Sequence, residues 1–335
     1  MDLCGHATFP SSNESGAMPE TVTASPTANT AASRRRRASF GRRAGHLLAP
    51  LLWVGPAVAL IAIVVLWPVV IMFRTSFRKI DSIGFDHGWA GLMNFKRLFR
   101  EPDLQSILVR TVVWVVAIVV ITVLLSLALA QLFNQKFPGR RVTRWALIAP
   151  WAASVFMTAV AFRWMLDSNS GLINVFLHDI GVLHKFGSNE ADWLGRPTAA
   201  LWWMIAVAIF VSVPFTTYAI LAGLQTIPID VYEAARVDGA SVIRTYVSIT
   251  LPLLRPALMV ATLINVMNVF NSFPIIWAMT RGGPGHQTAT TTIFMYLLKG
   301  SSIPESAAMS VLNFGLVIVI VLAFLKVSNW KSQVN

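Results

Sequence analysis

The sequence predicts an all-α membrane protein of six transmembrane helices, with a charged cytoplasmic loop between the fourth and the fifth. Three observations lead there. Of 335 residues, 55% are hydrophobic and only 13% are charged, against about 25% charged in an ordinary soluble domain. Polar side chains are too few to face water all round, so lipid must be the solvent for much of the surface. Charge-free stretches recur six times, and each is long enough to cross about 30 Å of hydrocarbon at about 1.5 Å per residue. The basic residues between them alternate sides, as Lys and Arg retained in the cytoplasm would.

Residues 1–45 read as a disordered basic tail: Ser, Thr, Ala, Pro and Asn without apolar period, then "RRRRASFGRR" with six arginines within 34–43. Residues 46–330 form the membrane domain. Its first charge-free run, 47–73, exceeds the core of a cleaved signal peptide and is an uncleaved first span. The others are 111–135, 145–162, 197–229, 256–280 and 306–325. The third is only just long enough, and Arg163 at its far end can snorkel outward.

Orientation follows from charge. The N-terminal arginines, the acid-free loop with Lys136, Arg140, Arg141 and Arg144, and the C-terminal Lys326 and Lys331 all fall on one side if there are six crossings. That side is the cytoplasm. Segment 74–106 conflicts: it carries six basic residues on the expected outside, interspersed with Asp81, Asp86, Glu101 and Asp103. The consistent alternation of the other loops outweighs it. The net charge of +12 is therefore topological, and nucleic acid is not an expected partner.

Several chemistries are excluded. Cys4 is the one cysteine, so no disulfide framework or thiolate metal cluster can form within the chain. The six histidines lie outside the apolar runs and form no HExxH pair. No GxxxxGK[ST] occurs, so no Walker loop cradles nucleotide phosphates.

The loop 225–256 has its own local logic. Pro228 and Asp230 signal a helix start, and Asp230 with Glu233 has the spacing of a capping box. Ala234 and Ala235 favour helix and project little side chain. Gly239 can take the left-handed conformation that ends the helix, Ser241 can cap a second one, and Pro252 and Pro256 end or kink that. About thirty residues is more than a simple connection needs. Ala-Ala and Gly239-Ala240 at a projecting turn let another protein approach closely.

"EAA" followed by Gly239-Ala240, Ile249, Leu251-Pro252 and Pro256 resembles the EAA loop of permease subunits of binding-protein-dependent ABC importers. "GLMNFKRLFREPD" (91–103), "FRWMLDSNSGLIN" (162–174) and "FNSFPIIWAMTRGGPG" (270–285) are similar to segments of the carbohydrate branch, of maltose and glycerol-phosphate type. Together they cover roughly residues 50–328. Arg281 departs from the family's usual small or polar residue in the Thr280–Pro284 turn.

The resemblance implies a type I ABC importer fold and a transporter subunit with no cofactor of its own. ATP and Mg would be bound by a partner ATPase. Glu233, Ala234, Ala235, Asp238, Gly239 and Ala240 would form the coupling helix in an ATPase groove, Glu233 either pairing with a basic residue there or capping its own helix. A second homologous permease chain, two ATPase subunits and an extracytoplasmic sugar-binding protein are the implied partners. The implied location is a bacterial cytoplasmic membrane, with both termini inside.

A sugar path needs hydrogen-bonding groups and flat apolar faces without fixed charge. Asn265, Asn268 and Ser272 fall at i, i+3 and i+7 on one helical stripe, with Asn271 beside them and Phe270, Phe273 and Trp277 near. Asn313 in the sixth span is a further candidate. The competing reading is that such groups glue helices together. Trp202 and Trp203 read as an interfacial belt, and Arg163 with Asp167 as a solvated interfacial pair. A basic residue suited to glycerol phosphate is absent from spans five and six, so the sequence points to a neutral sugar. Two other classes share the apolar runs. An ion-coupled transporter would place ionisable groups mid-membrane, where none occurs. A non-transporting scaffold would leave the Asn stripe and the loop without purpose.

Overall fold

The computed structural model describes residues 54–81, 83–184 and 191–327. The expected tail and the C-terminal lysine at 331 lie outside them. The chain divides into two units, Met1–Trp67 and Pro68–Asn335. The first span is helix α1, Val54–Ser76, with one π turn at Ala62–Leu66. Among the described residues five helices are long and apolar enough to cross a membrane, or six if one bent pair counts as a span.

A short antiparallel hairpin, β1 (Arg78–Ile80) and β2 (Asp86–Trp89), follows α1, and the sequence reading had no strands. Helix α2 (Met93–Leu98) is pinned beneath it by Asn94, whose Nδ2 donates to the carbonyls of Ser76 and Arg78 at 2.8 and 2.9 Å. Then come the long helix α3 (Leu104–Asn134), α4 (Arg140–Ala152), α5 (Val155–Met165), the short α6 (Leu172–Asp179) and the long α7 (Pro197–Gln225). The loop helix α8 (Ile229–Val237) leads into α9 (Val242–Phe270), α10 (Phe273–Met279), α11 (Thr291–Ser301) and α12 (Ile303–Val327).

Two expected spans are not single helices. The third is α4 and α5, bent by 95° at residues 153 and 154. Ala153 is extended (φ −79°, ψ 150°), and Pro150 one turn earlier offers no N–H to the carbonyl four residues back. The fifth ends at Phe270 and resumes at Phe273. Asn271 and Ser272 have left helical geometry, and Pro274 cannot donate to the carbonyl of Phe270.

Helix α7 is apolar on all sides, as a helix surrounded by others should be. It packs on α3 and α9 around Trp114, Ile118, Met204, Ile205 and Val269, all buried. Towards the α8 end, Phe133, Ile220, Leu224 and Leu254 form a second cluster. There α7 and α9 nearly touch: a Cβ at Gly223 would overlap the Cβ of Ala257. At the other end, Leu98, Ile107, Phe294 and Met309 join α2, α3, α11 and α12.

Arg163 and Asp167 are not partners. Arg163 donates to the carbonyl of Ala278 at 3.2 Å, which ties α5 to α10. Asp167 closes its own turn, accepting from the Ser170 and Asn169 N–H groups at 3.0 and 3.1 Å. Trp202 is exposed, while Trp203 is partly buried and meets Trp193 edge to face at 5.9 Å.

Candidate functional site

The α8 loop and a cavity where the two broken spans meet hold the residues that the sequence singled out.

Helix α8 ends in a Schellman motif. The N–H of Ala240 donates to the carbonyl of Ala235 and that of Gly239 to Arg236, both at 3.0 Å, with Gly239 left-handed at φ 73°. Ser241 caps the next helix, its hydroxyl accepting from the Arg244 N–H at 3.3 Å. The expected capping box is absent: the N-cap is Pro228 and no side chain bonds there. Glu233 is exposed and, among the described residues, its side chain has neither a hydrogen bond nor an ion pair. Ala234 and Asp238 are exposed too, while Ala235 is buried and ties the helix down.

The loop's apolar side chains are out of place for water. Val237 is 88% exposed, Val242 85%, Ile243 77% and Ile229 69%. An apolar patch interspersed with Asp230, Glu233, Arg236 and Arg244 is the make-up of a protein-docking surface.

The cavity encloses about 420 Å³. Trp151 and Val155 enter it from either side of the α4–α5 bend; Val211, Ser212, Phe215 and Thr216 come from α7. Asn265, Asn268, Asn271, Ser272, Pro274 and Ile275 come from α9, its break and α10. No charged residue lines it.

The three polar residues of the expected stripe and Asn271 beside it line one cavity. Asn265 is 2% exposed and its Nδ2 has no partner. Asn271 and Ser272 spend one donor each on the last turn of α9, Asn271 on the Met267 carbonyl at 3.1 Å and Ser272 on the Asn268 carbonyl at 3.2 Å. They cap the broken helix and keep further hydrogen-bonding capacity for the cavity.

The other three candidates sit elsewhere. Phe270 is buried in the main core. Trp277 stacks on Phe273 at 5.6 Å and meets Tyr296 edge-on at 4.8 Å. Asn313 on α12 is buried with an unpartnered Oδ1, and it does not line this cavity. Trp151, Phe215, Ser212 and Thr216 escaped the sequence reading. Their signal was Pro150, which breaks a run otherwise read as one span, and the Ser and Thr of an apolar helix.

An amide-lined cavity among apolar spans and an exposed loop helix at one end are features that a membrane permease would have. The chain belongs to the family described as binding-protein-dependent transport system inner membrane component, whose profile matches residues 122–329. It is 36% identical over 286 residues to a probable ABC transporter permease protein of Brucella suis, covering 85% of this chain and 98% of that one. It is 31% identical over 283 residues to the trehalose/maltose transport system permease protein of Thermococcus litoralis, covering 84% and 93%. Among solved structures it resembles the bacterial alginate ABC transporter in complex with an alginate pentasaccharide-bound periplasmic protein. That match has a TM-score of 0.74 at 21% identity, covering 87% of this chain and 96% of that one.

The chain is thus the permease component of an ABC importer and not an enzyme; ATP hydrolysis belongs to a separate subunit. That membership also decides against a secondary transporter and a scaffold.

Proposed function

We propose that this permease carries a neutral mono-, di- or oligosaccharide along the cavity at the α4–α5 and α9–α10 breaks, and takes its drive from an ATPase docked on the α8 loop. The observation that carries this reading is Asn265: a buried amide donor without a partner costs about 1–3 kcal/mol, and it faces a cavity with no charge. A sugar hydroxyl can accept that hydrogen, and the broad faces of Trp151 and Phe215 suit the C–H face of a pyranose. An anionic or cationic solute would find no counter-ion there. The trehalose/maltose relative is in keeping with such a cargo.

In the assembly, a second homologous permease supplies the other half of the path, and two ATPase subunits bind ATP and Mg. An extracytoplasmic sugar-binding protein delivers cargo to the hairpin side. Glu233 meets a basic residue of the ATPase, while Ala234, Gly239 and Ala240 let the two backbones come close. The complex lies in a bacterial cytoplasmic membrane with both termini inside.

The test is to isolate the complex with its binding protein and measure which solutes raise the binding protein's melting temperature. A neutral sugar should do so. A shift produced only by charged solutes overturns the cargo assignment. If Glu233→Arg and Gly239→Val both leave ATPase attachment and uptake unchanged, the docking assignment is wrong.

A further inference from the structure

At the start of α4, opposite in that helix from Trp151, a second and quite different cavity of about 330 Å³ is lined by Arg140, Arg141, Arg144, Trp145 and Ile148. We propose that it is a binding site for the phosphate of an anionic phospholipid headgroup.

Three observations carry this. First, the positive charge has no internal counterpart. No Asp or Glu occurs between Asp103 and Asp167 in the sequence. Among the described residues Arg140, Arg141 and Arg144 take part in no ion pair; those of Arg78 with Asp86 and of Arg97 with Glu305 lie elsewhere. Three guanidinium groups gathered at one cavity repel one another unless an anion joins them.

Second, the cluster is held in place. Arg144 donates Nη2 to the Phe133 carbonyl at the end of α3 at 2.8 Å, and its own carbonyl accepts the Tyr218 hydroxyl of α7 at 3.0 Å. Arg144 is thus fixed by two neighbouring spans; its Nη2 is engaged and its Nε is buried without a partner, so the forks that can close on a phosphate are those of Arg140 and Arg141 beside it. Guanidinium forks match phosphate oxygens two by two.

Third, the cavity's lining passes from basic to apolar side chains along the helix axis. Arg140, Arg141, Arg144, Trp145 and Ile148 fall at i, i+1, i+4, i+5 and i+8, one face of a helix. At about 1.5 Å per residue, the face descends about 12 Å, from the arginines to Ile148. Trp145 is 67% exposed, at the point where aromatic side chains sit at headgroup level. A free phosphate ion would use the arginines and leave Trp145 and Ile148 idle, whereas a phospholipid covers both with its glycerol and acyl chain. Clusters of basic side chains at the end of a membrane helix attract anionic lipid headgroups.

A consequence follows from continuity: α4 carries this cluster at one end and Trp151, which lines the path, at the other. A bound lipid braces the helix that presents Trp151.

The ordinary role of such arginines is to hold a loop in the cytoplasm, which Lys performs equally well. The test uses that difference. The intact complex, purified as wild type, Arg140→Lys/Arg141→Lys and Arg140→Gln/Arg141→Gln, is placed in phosphatidylcholine with and without phosphatidylglycerol. Retained lipid is counted by native mass spectrometry, and ATP-driven uptake is measured in parallel.

Wild type should retain phosphatidylglycerol, with uptake stimulated by it and retention unaffected by millimolar inorganic phosphate. The Lys pair, correctly inserted, should retain it about tenfold more weakly and the Gln pair not at all. Equal retention and stimulation in wild type and the Lys pair overturn the proposal. So does displacement by inorganic phosphate, and so does loss of ATPase attachment with lipid retention unchanged, which would make the cluster a protein contact. None of these outcomes depends on which solute is carried.

Discussion

Trp114 on α3 donates its indole N–H to the carbonyl of Val269 at 3.1 Å, in the last turn of α9. One residue on, the Phe270 carbonyl would bond to residue 274 in an unbroken helix, but residue 274 is proline and has no N–H. Thr292 on α11 supplies the donor at 3.3 Å. The break that places Asn271 and Ser272 at the cavity is thus held open from two neighbouring helices. Its freed carbonyls are paired inside the protein, as the membrane interior requires.

Removing those donors should therefore weaken the break without changing the cavity's own side chains. Trp114→Phe and Thr292→Val are each expected to destabilise by about 1 kcal/mol, read as a lower melting temperature of the purified complex. The two act on adjacent carbonyls, so their effects should depart from additivity. Unchanged melting in the double variant would show that the break needs neither donor.

The crossing of α7 and α9 depends on Gly223. A side chain there would overlap Ala257, and small residues are what allow membrane helices to approach this closely. Gly223→Val should cost about 1–3 kcal/mol through overpacking and lower the yield of assembled complex. Gly315→Ala on α12, where nothing lies within 4 Å, is the matched control and should be neutral.

Gly239 makes a different demand. An added Cβ meets nothing within 4 Å, yet the backbone is left-handed at φ 73°, which costs an ordinary residue about 1–2 kcal/mol. Gly239→Asn should keep most ATPase attachment, because Asn tolerates this conformation, whereas Gly239→Val should lose it. Equal attachment by both variants would remove the backbone argument.

Acid should loosen the turn at Asp167. The Asp167 carboxylate accepts from the Ser170 N–H, then the Asn169 N–H and the Ser170 hydroxyl, which holds its pKa below the ordinary carboxylate value. A lowered folded pKa stabilises above the unfolded value and is lost as pH falls through the folded one. The 167–170 turn should protect its amide hydrogens from exchange at neutral pH and lose that protection, relative to the intrinsic rate at each pH, only below about pH 4. In Asp167→Ala the protection should be low at both pH values.

Much of the fold was legible because lipid imposes a simple rule: apolar length reports a span. The places where that rule misled are the ones with a proline. The run 145–162 contains Pro150 and bends by 95°, and the run 256–280 contains Pro274 and breaks at Asn271. Composition cannot distinguish a broken span from a whole one, because both must be apolar.

At the loop, Gly239 and Ser241 do what their chemistry suggested. The box of Asp230 and Glu233 does not form, because the N-cap is Pro228 and Asp230 already lies inside the first turn. At the cavity, helical spacing brought Asn265 and Asn268 together, while Ser272 arrives there only through the break. Trp151 and Phe215 belong to other helices and could not be found by periodicity within one.

If cargo passes the amides at these breaks while ATP acts on the far loop, the decisive measurement is ATP-driven uptake by the reconstituted complex carrying Asn265→Leu. The substitution removes the unpartnered donor and leaves the α8 loop untouched. Uptake should fall by at least about tenfold, the equivalent of about 1.4 kcal/mol, with ATPase attachment and melting temperature preserved. Wild-type uptake by that variant would contradict the claim.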